Sequence, residues 1–286
     1  MANLKEIRNR ITSIGSTMQI TSAMKMVSAA KLKKAQDAIT AMRPYVDKLT
    51  ELLQNLSATL DGDLGGSFTK EREVNKILLV AINSNRGLCG GFNSSIFKEV
   101  VSLIDTKYQD KEVSVIAIGK KANDLLSKTY NVIDNKSDVF DNLTFENVSA
   151  IAQGIMDQFE AGDFDKIELV YNQFKNAATQ IVQVERFLPI EQTETETTSN
   201  LDYIFEPSKV EIVEGLIPKS LKMQLFKALR DSFAAEHGAR MTAMHKATDN
   251  AGELRDELLL QYNKARQAAI TGEILEIVGG SEALNN

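Results

Sequence analysis

Residues 4–36 read LKEIRNRITSIGSTMQITSAMKMVSAAKLKKAQ, and the spacing of their apolar residues decides the architecture of the chain. Leu4, Ile7, Ile11, Ile14 and Met18 alternate in steps of three and four. The same count continues through Thr21, Lys25, Ser28, Leu32, Ala35, Ile39, Met42, Val46, Leu49, Leu53, Leu56 and Leu60, and 14 of these 17 positions are apolar. An ordinary surface helix does not hold a 3.5-residue repeat this long, whereas a coiled coil does. At ~1.5 Å per residue the helix spans about 85 Å. Pro44 removes one backbone donor and is expected to bend it locally. Asp61-Gly62-Asp63 and Gly65-Gly66 are its stop signal. Thr21, Lys25 and Ser28 interrupt the seam consecutively, so the seam is expected to face something different there.

The partner helix is expected at the other end of the chain. From Ser208 to about Ala283 there is one proline, Pro218. A seam of Ala247, Ala251, Leu254, Leu258, Gln261, Ala265, Ala268, Gly272, Leu275 and Gly279 again alternates four and three. Most of these residues are small, which lets a partner approach closely at the cost of apolar burial per turn. Two long helices at opposite ends of one chain most simply pack antiparallel, with the middle of the sequence inserted between them. The divisions are therefore residues 1–60, 74–205 and 208–286.

In the middle the texture changes. Lys76–Ile82 is a continuous apolar run, the pattern of a strand covered on both faces. An amphipathic stretch bearing Ile96, Val100 and Leu103 follows, then a second apolar strand at Val113–Ile118. Helices are expected near Lys120–Lys128 and Glu146–Ala161. Ile167–Phe174 and Thr179–Leu188 read as a hairpin. Strands alternating with helices predict a small α/β sandwich, largely parallel with an antiparallel edge. Glu191–Asn200 (EQTETETTSN) reads as an exposed acidic loop.

Charge is uneven. Residues 1–35 hold Lys5, Arg8, Arg10, Lys25, Lys31, Lys33 and Lys34 against Glu6 alone, while the whole chain carries −6, so the remainder carries −12. A basic arm on an acidic body suits an acidic partner, a membrane surface or nucleic acid. An adaptor gripping nucleic acid through this arm is the competing reading, but the first 44 residues contain no aromatic side chain to stack on bases. No apolar run approaches the roughly 20 residues needed to span a bilayer. The single cysteine, Cys89, excludes an internal disulfide framework and fits a reducing compartment.

The one stretch that invites a catalytic reading is Ser84–Asn93 (SNRGLCGGFN), between a strand and a helix where phosphate loops sit. Its spacing is neither G-x-G-x-x-G nor G-x-x-x-x-G-K-[ST], so it reads as a structural turn. Cys89 could act as a nucleophile only with His237 or His245, and no local motif supports that. The two histidines stand eight residues apart on a helix and do not make a metal site. No cofactor is expected and no enzyme activity in the chain alone.

Four segments together resemble the gamma subunit family of F-type ATP synthases: residues 4–36, RGLCGGFN at 86–93, ARMTAMHKATDNAGEL at 239–254, and YNKARQAAITGEILEIVGGSEAL at 262–284. They fall in order across essentially the whole chain. The resemblance implies an antiparallel coiled coil with an inserted Rossmann-like domain. It implies a shaft that threads a ring of three alpha and three beta subunits, with the epsilon subunit and the membrane ring of c subunits as further partners, and no nucleic acid. Its expected place is the cytoplasmic face of a bacterial plasma membrane, or the matrix side of the mitochondrial inner membrane, held there through the complex. Met24, with Lys25, Lys31, Lys33 and Lys34 around it, matches the position facing a mobile acidic segment of beta. Arg266, Gln267 and Thr271 match positions that touch catalytic-subunit loops. Ile274, Leu275, Ile277, Val278 and Leu284 belong to a tip seated in an apolar bearing. On this reading Thr21, Lys25 and Ser28 look outward at the ring. Asn85 stands where the family turn usually begins with Asp, and Gly280-Ser281 where its tail usually reads Gly-Ala. The cysteine pair of thiol-regulated chloroplast versions is absent.

Overall fold

The computed structural model describes residues 4–58, 68–69, 72–190 and 209–284. The stop signal at 61–66 and the acidic stretch at 191–200 lie outside the described residues. Helix α1 (Leu4–Ala58) continues through Pro44. The elements β1 (Lys76–Ile82), α2 (Phe92–Ser102), β2 (Glu112–Ile118), α3 (Lys120–Leu126), β3 (Asn131–Asn135), α4 (Phe145–Glu160), β4 (Lys166–Phe174) and β5 (Gln180–Leu188) follow, and then α5 (Lys209–Leu284), which contains Pro218. The chain divides into two compact units, residues 29–240 and residues 1–28 with 241–286.

Residues 29–240 are built on one sheet of order β3-β2-β1-β4-β5. β1 pairs in parallel with β2 and with β4, β3 is parallel to β2, and β5 closes the edge antiparallel to β4. Six of the seven β1 residues are buried, as a central parallel strand covered on both faces requires. On one face Leu78, Val80, Ile82, Ile116 and Ile118 meet Val148, Ile155 and Phe159 of α4 and Ile217, Leu221, Leu225 and Leu229 of α5. On the other, Ile77, Leu79, Val115 and Val170 meet Ile96 and Val100 of α2 and Leu126 of α3. Each such fully buried side chain contributes about 1.5–3 kcal/mol. The long C-terminal helix is thus one layer of the α/β fold as well as an arm.

β3 is absent from the sequence expectations. Its residues, Asn-Val-Ile-Asp-Asn, alternate exposed and half-buried at the sheet edge, so it lacks the apolar run that exposes a central strand. Leu103–Lys107 forms a π-helical turn closing α2, also unanticipated.

Gly119 connects β2 to α3 with φ 120°, and a Cβ there would lie 2.3 Å from the Asn83 carbonyl oxygen. Backbone cannot yield as a flexible side chain does. Gly119→Ala is therefore expected to destabilise residues 29–240 by about 3 kcal/mol or more, read as a lowered urea midpoint with an unchanged slope.

In the unit of residues 1–28 and 241–286, α1 and α5 pack antiparallel. Arg8 Nη2 donates to Tyr262 Oη at 2.7 Å with the guanidinium 5.6 Å from the ring centroid. A Cβ on Gly252 would meet Met18 Sδ at 4.0 Å, and Thr248 Oγ1 donates to Thr21 Oγ1 at 2.8 Å. Contacts that advance along α1 retreat along α5, the signature of an antiparallel pair.

Candidate functional site

A doubly wound sheet takes its ligand in the crevice beyond the carboxyl ends of its strands, at the point where strand order reverses. Here that point lies between β1 and β4, and the chain itself fills it. Cys89 and Phe92 from the glycine-rich turn pack with Ala235 and Ala239 of α5 and Phe174 at the end of β4. Gly238 lets the helix come close: a Cβ there would stand 3.2 Å from Ala177 Cα and 3.3 Å from the Phe174 ring. Arg240 then closes the seal, donating from Nη2 to the carbonyls of Arg86 at 3.0 Å and Gly87 at 3.3 Å, and pairing through Nη1 with Glu236 at 2.6 Å.

The turn is held internally as well. Ser84 Oγ lies 2.7 Å from Arg86 O and 2.8 Å from Asn93 Oδ1, with its one proton donated to either, and Asn93 Nδ2 donates to Cys89 Sγ at 3.2 Å. Asn85 bridges loops, accepting from Lys120 N at 3.0 Å and donating to Ser137 O at 3.0 Å. Leu88 adopts φ 61° with its side chain exposed. Burial pushes the Cys89 thiol up, against the pull of Arg240. A buried, protonated thiol is a poor nucleophile, and its polar neighbours are Ser84, Asn93 and the Arg86 carbonyl rather than a histidine. His237 meets Arg240 through Nδ1 at 3.4 Å, and burial drives its pKa down to about 3. His245 is exposed and pairs with Asp249 at 3.2 Å. Among the described residues no cluster of metal-ligating side chains occurs.

A second cleft, about 710 Å³, lies between the end of α2 and strands β4 and β5. Its charges are spent on one another. Lys107 and Lys166 both hold Glu168 Oε1, at 3.0 and 2.9 Å. Burial raises the Glu168 carboxyl, but the nearby Tyr108 hydroxyl and the two lysines, Lys166 and Lys107, outweigh it and leave the group below the usual range. Glu185 accepts from Tyr171 and Gln224.

The residues singled out for partner contact are surface residues. Met24 and Lys25 are half-buried on α1; Lys31, Lys33 and Lys34 are exposed further along it. Lys33 pairs with Asp37 at 2.9 Å, and Lys31 acts electrostatically on Glu236 and His237. Arg266, Gln267 and Thr271 are exposed, as are Ile274, Leu275, Ile277 (71%) and Val278. The Leu284 side chain lies outside the described residues. The contact series from 21/248 to 8/262 sets Met24 level with about residue 245 and Arg266 level with Leu4. At ~1.5 Å per residue, Met24 and Arg266 are about 30 Å apart along the pair, and about 27 Å of α5 runs past Leu4. They are two stations on the helix pair rather than one patch. Ile20, Met26 and Val27 are large, apolar and more than half exposed, and fall between seam positions.

Two expectations need correction. Thr21 and Ser28 do not look outward: they are 9% and 2% exposed, and Thr21 bonds across the helix pair. On α5 the seam runs through Met244, Thr248, Ala251, Arg255, Leu258 and Tyr262, all buried or half-buried, whereas Leu254, Gln261 and Leu275 are exposed. Small residues on both sides of the helix made the two registers equal in apolar content. Only the contacts of Tyr262, Thr248 and Gly252 separate them.

Fold and site together define a protein of long terminal helices with an inserted α/β domain whose sheet-end crevice is filled by its own helix. A protein-family model described as ATP synthase matches residues 3–284. The ATP synthase gamma chain of Flavobacterium psychrophilum is 73% identical over 99% of both chains, and that of Cytophaga hutchinsonii 50% over all of both. Among solved structures, the central stalk and c-ring of the Tetrahymena thermophila mitochondrial ATP synthase matches with a TM-score of 0.61 at 28% identity, covering 80% of this chain and 99% of that one. A chain of the Euglena gracilis enzyme shares the fold at TM-score 0.69, with 98% and 94% covered. The chain belongs to the ATP synthase gamma chain family, the non-catalytic subunit of the central stalk.

Proposed function

We propose that this chain turns inside a ring of alpha and beta subunits and couples ion flow through a ring of c subunits to the catalytic cycle, with the epsilon subunit on its inserted domain. Arms 1–60 and 208–286 form the shaft and 74–205 the insertion. The observation that carries the reading is the end of α5, where Ile274, Leu275, Ile277 and Val278 stand exposed on a helix that has outrun its partner. Exposed apolar surface of this kind marks a contact with another protein, here an apolar bearing that also takes Leu284. Met24, Lys25, Lys31, Lys33 and Lys34, with Arg266, Gln267 and Thr271, make contacts whose strength depends on the state of each beta subunit. A shaft with unequal contact free energies toward three otherwise identical sites redistributes their conformations as it turns. The assembly sits on the cytoplasmic face of a bacterial plasma membrane, as the bacterial relatives favour.

An affinity tag inserted near Thr195 tests this directly. Purification from native cells is expected to yield a large complex with two abundant homologous partners and ATPase activity. A monomer, or a particle rich in nucleic acid without ATPase, would overturn the reading in favour of the adaptor. Reversing Lys31, Lys33 and Lys34 to glutamate is expected to change ATP hydrolysis by the complex severalfold, through charge contacts typically worth 1–3 kcal/mol when coupled to a conformational change. An unchanged rate would remove these lysines from the state-dependent contacts.

A further inference from the structure

The α1–α5 pair of residues 1–28 and 241–286 has an unusual seam. At Ala251 and Gly252, between the larger Met244 and Leu258, α5 offers α1 little side chain, so the apolar contact of that stretch resists sliding only weakly. Into this smooth seam the structure sets one hydroxyl pair. Thr248 Oγ1 donates to Thr21 Oγ1 at 2.8 Å and lies 2.8 Å from the Met244 carbonyl oxygen. Thr21 Oγ1 donates to the Met18 carbonyl at 3.1 Å. Two protons serve these three contacts, so Thr21 stays tied to its own helix through Met18 while Thr248 links the two helices.

We propose that Thr21 and Thr248 form a crosspiece that resists sliding between the two helices and so positions the shaft under load. It rests on the shaft reading. A polar pair in a coiled-coil seam, here buried at Thr21 and half-buried at Thr248, fixes register in a way that apolar contacts do not, because its bond vanishes beyond about 3.5 Å whereas small apolar residues repack at every step. Torque on a two-helix coil changes its supercoil and shears the seam. The stretch of alanine and glycine yields to shear, and the crosspiece opposes it there, as the Arg8–Tyr262 bond does farther along the pair. The residues act through the position of the helix pair, not through contact with a reacting group.

Spin labels at Ser13→Cys and Gln261→Cys, both exposed positions on opposite helices, report the seam through their distance distribution, with Cys89 buried away from the label. Thr248→Val removes the crosspiece without stranding Thr21, which keeps the Met18 carbonyl. Losing one net hydrogen bond is expected to raise the population of slid conformers about fivefold, with ions pumped per ATP reduced in the assembled complex. Thr21→Val/Thr248→Val is expected to do the same, and Thr21→Ser/Thr248→Ser to behave as the parent. A distribution as narrow as the parent's in Thr248→Val overturns the proposal. So does an equally broad one in the serine pair, which would make the methyl groups responsible, or unchanged pumping despite broadening. A parent chain that copurifies with no ATPase overturns the shaft reading instead, and the distance distribution of the full chain still decides whether the crosspiece exists.

Discussion

Arg240→Met is expected to cost residues 29–240 about 3–5 kcal/mol at neutral pH, the largest loss of any single substitution considered. The guanidinium is buried and pairs with an equally buried carboxylate, Glu236. It also satisfies the carbonyls of Arg86 and Gly87. Methionine fills much of the same volume but leaves an uncompensated charge and two weakened acceptors. Burial already holds the Glu236 carboxyl above the usual range, with Arg240 pulling it back, so removing Arg240 pushes it further up. The folded state then binds a proton before the unfolded chain does, and the deficit shrinks as pH falls toward that range. Glu236→Leu/Arg240→Met removes both charges and is expected to recover most of the loss, since an apolar pair of similar volume often matches a buried ion pair. Urea unfolding followed by circular dichroism reads all three, and a double variant no better than the single one would contradict the account.

His237 is expected to make the protein acid-sensitive well above the carboxylate range. Its ring is 5% exposed, packs edge-on against Phe233 at 4.5 Å, and has no hydrogen-bond partner for Nε2. Burial, with Arg240 and Lys31 adding repulsion, lowers its pKa from 6.5 to about 3. Above pH 6.5 the ring is neutral whether the chain is folded or not, and it carries no penalty. As pH falls below 6.5 the unfolded chain takes up a proton that the folded one refuses. Stability is lost progressively down to pH 3, by about 2 kcal/mol at pH 5. Glu236, with its raised pKa, works in the opposite direction over part of this window. His237→Phe should flatten the fall between pH 6.5 and pH 5. An equally steep profile in that variant would show that another group carries it.

Both predictions concern the place beyond the strand ends where α5 packs on the glycine-rich turn. In the sequence, the glycine-rich turn could be refused as a phosphate loop because its spacing is wrong. What fills the crevice was invisible, because Arg240 lies about 150 residues from the turn it closes upon, and no local pattern links them. His237 and Cys89 were weighed as reactive groups from their residue types alone. Their desolvation, which makes one neutral and the other protonated, is a property of the packed joint.

The periodicity of α1 was fully legible. Every counted seam position from Leu4 to Leu49 is buried or half-buried, because a 3.5-residue repeat forces those side chains onto one stripe whatever the partner. The apolar runs of β1 and β2 announced central strands for a similar reason: two covered faces leave no room for polar alternation. β3 stayed hidden because an edge strand has neither constraint. The register of α5 and the role of Thr21 and Ser28 were decided only in three dimensions. Small and polar residues carry no one-dimensional sign of facing inward; whether a threonine is a flaw in the seam or its crosspiece depends on the hydroxyl, 227 residues away, that meets it.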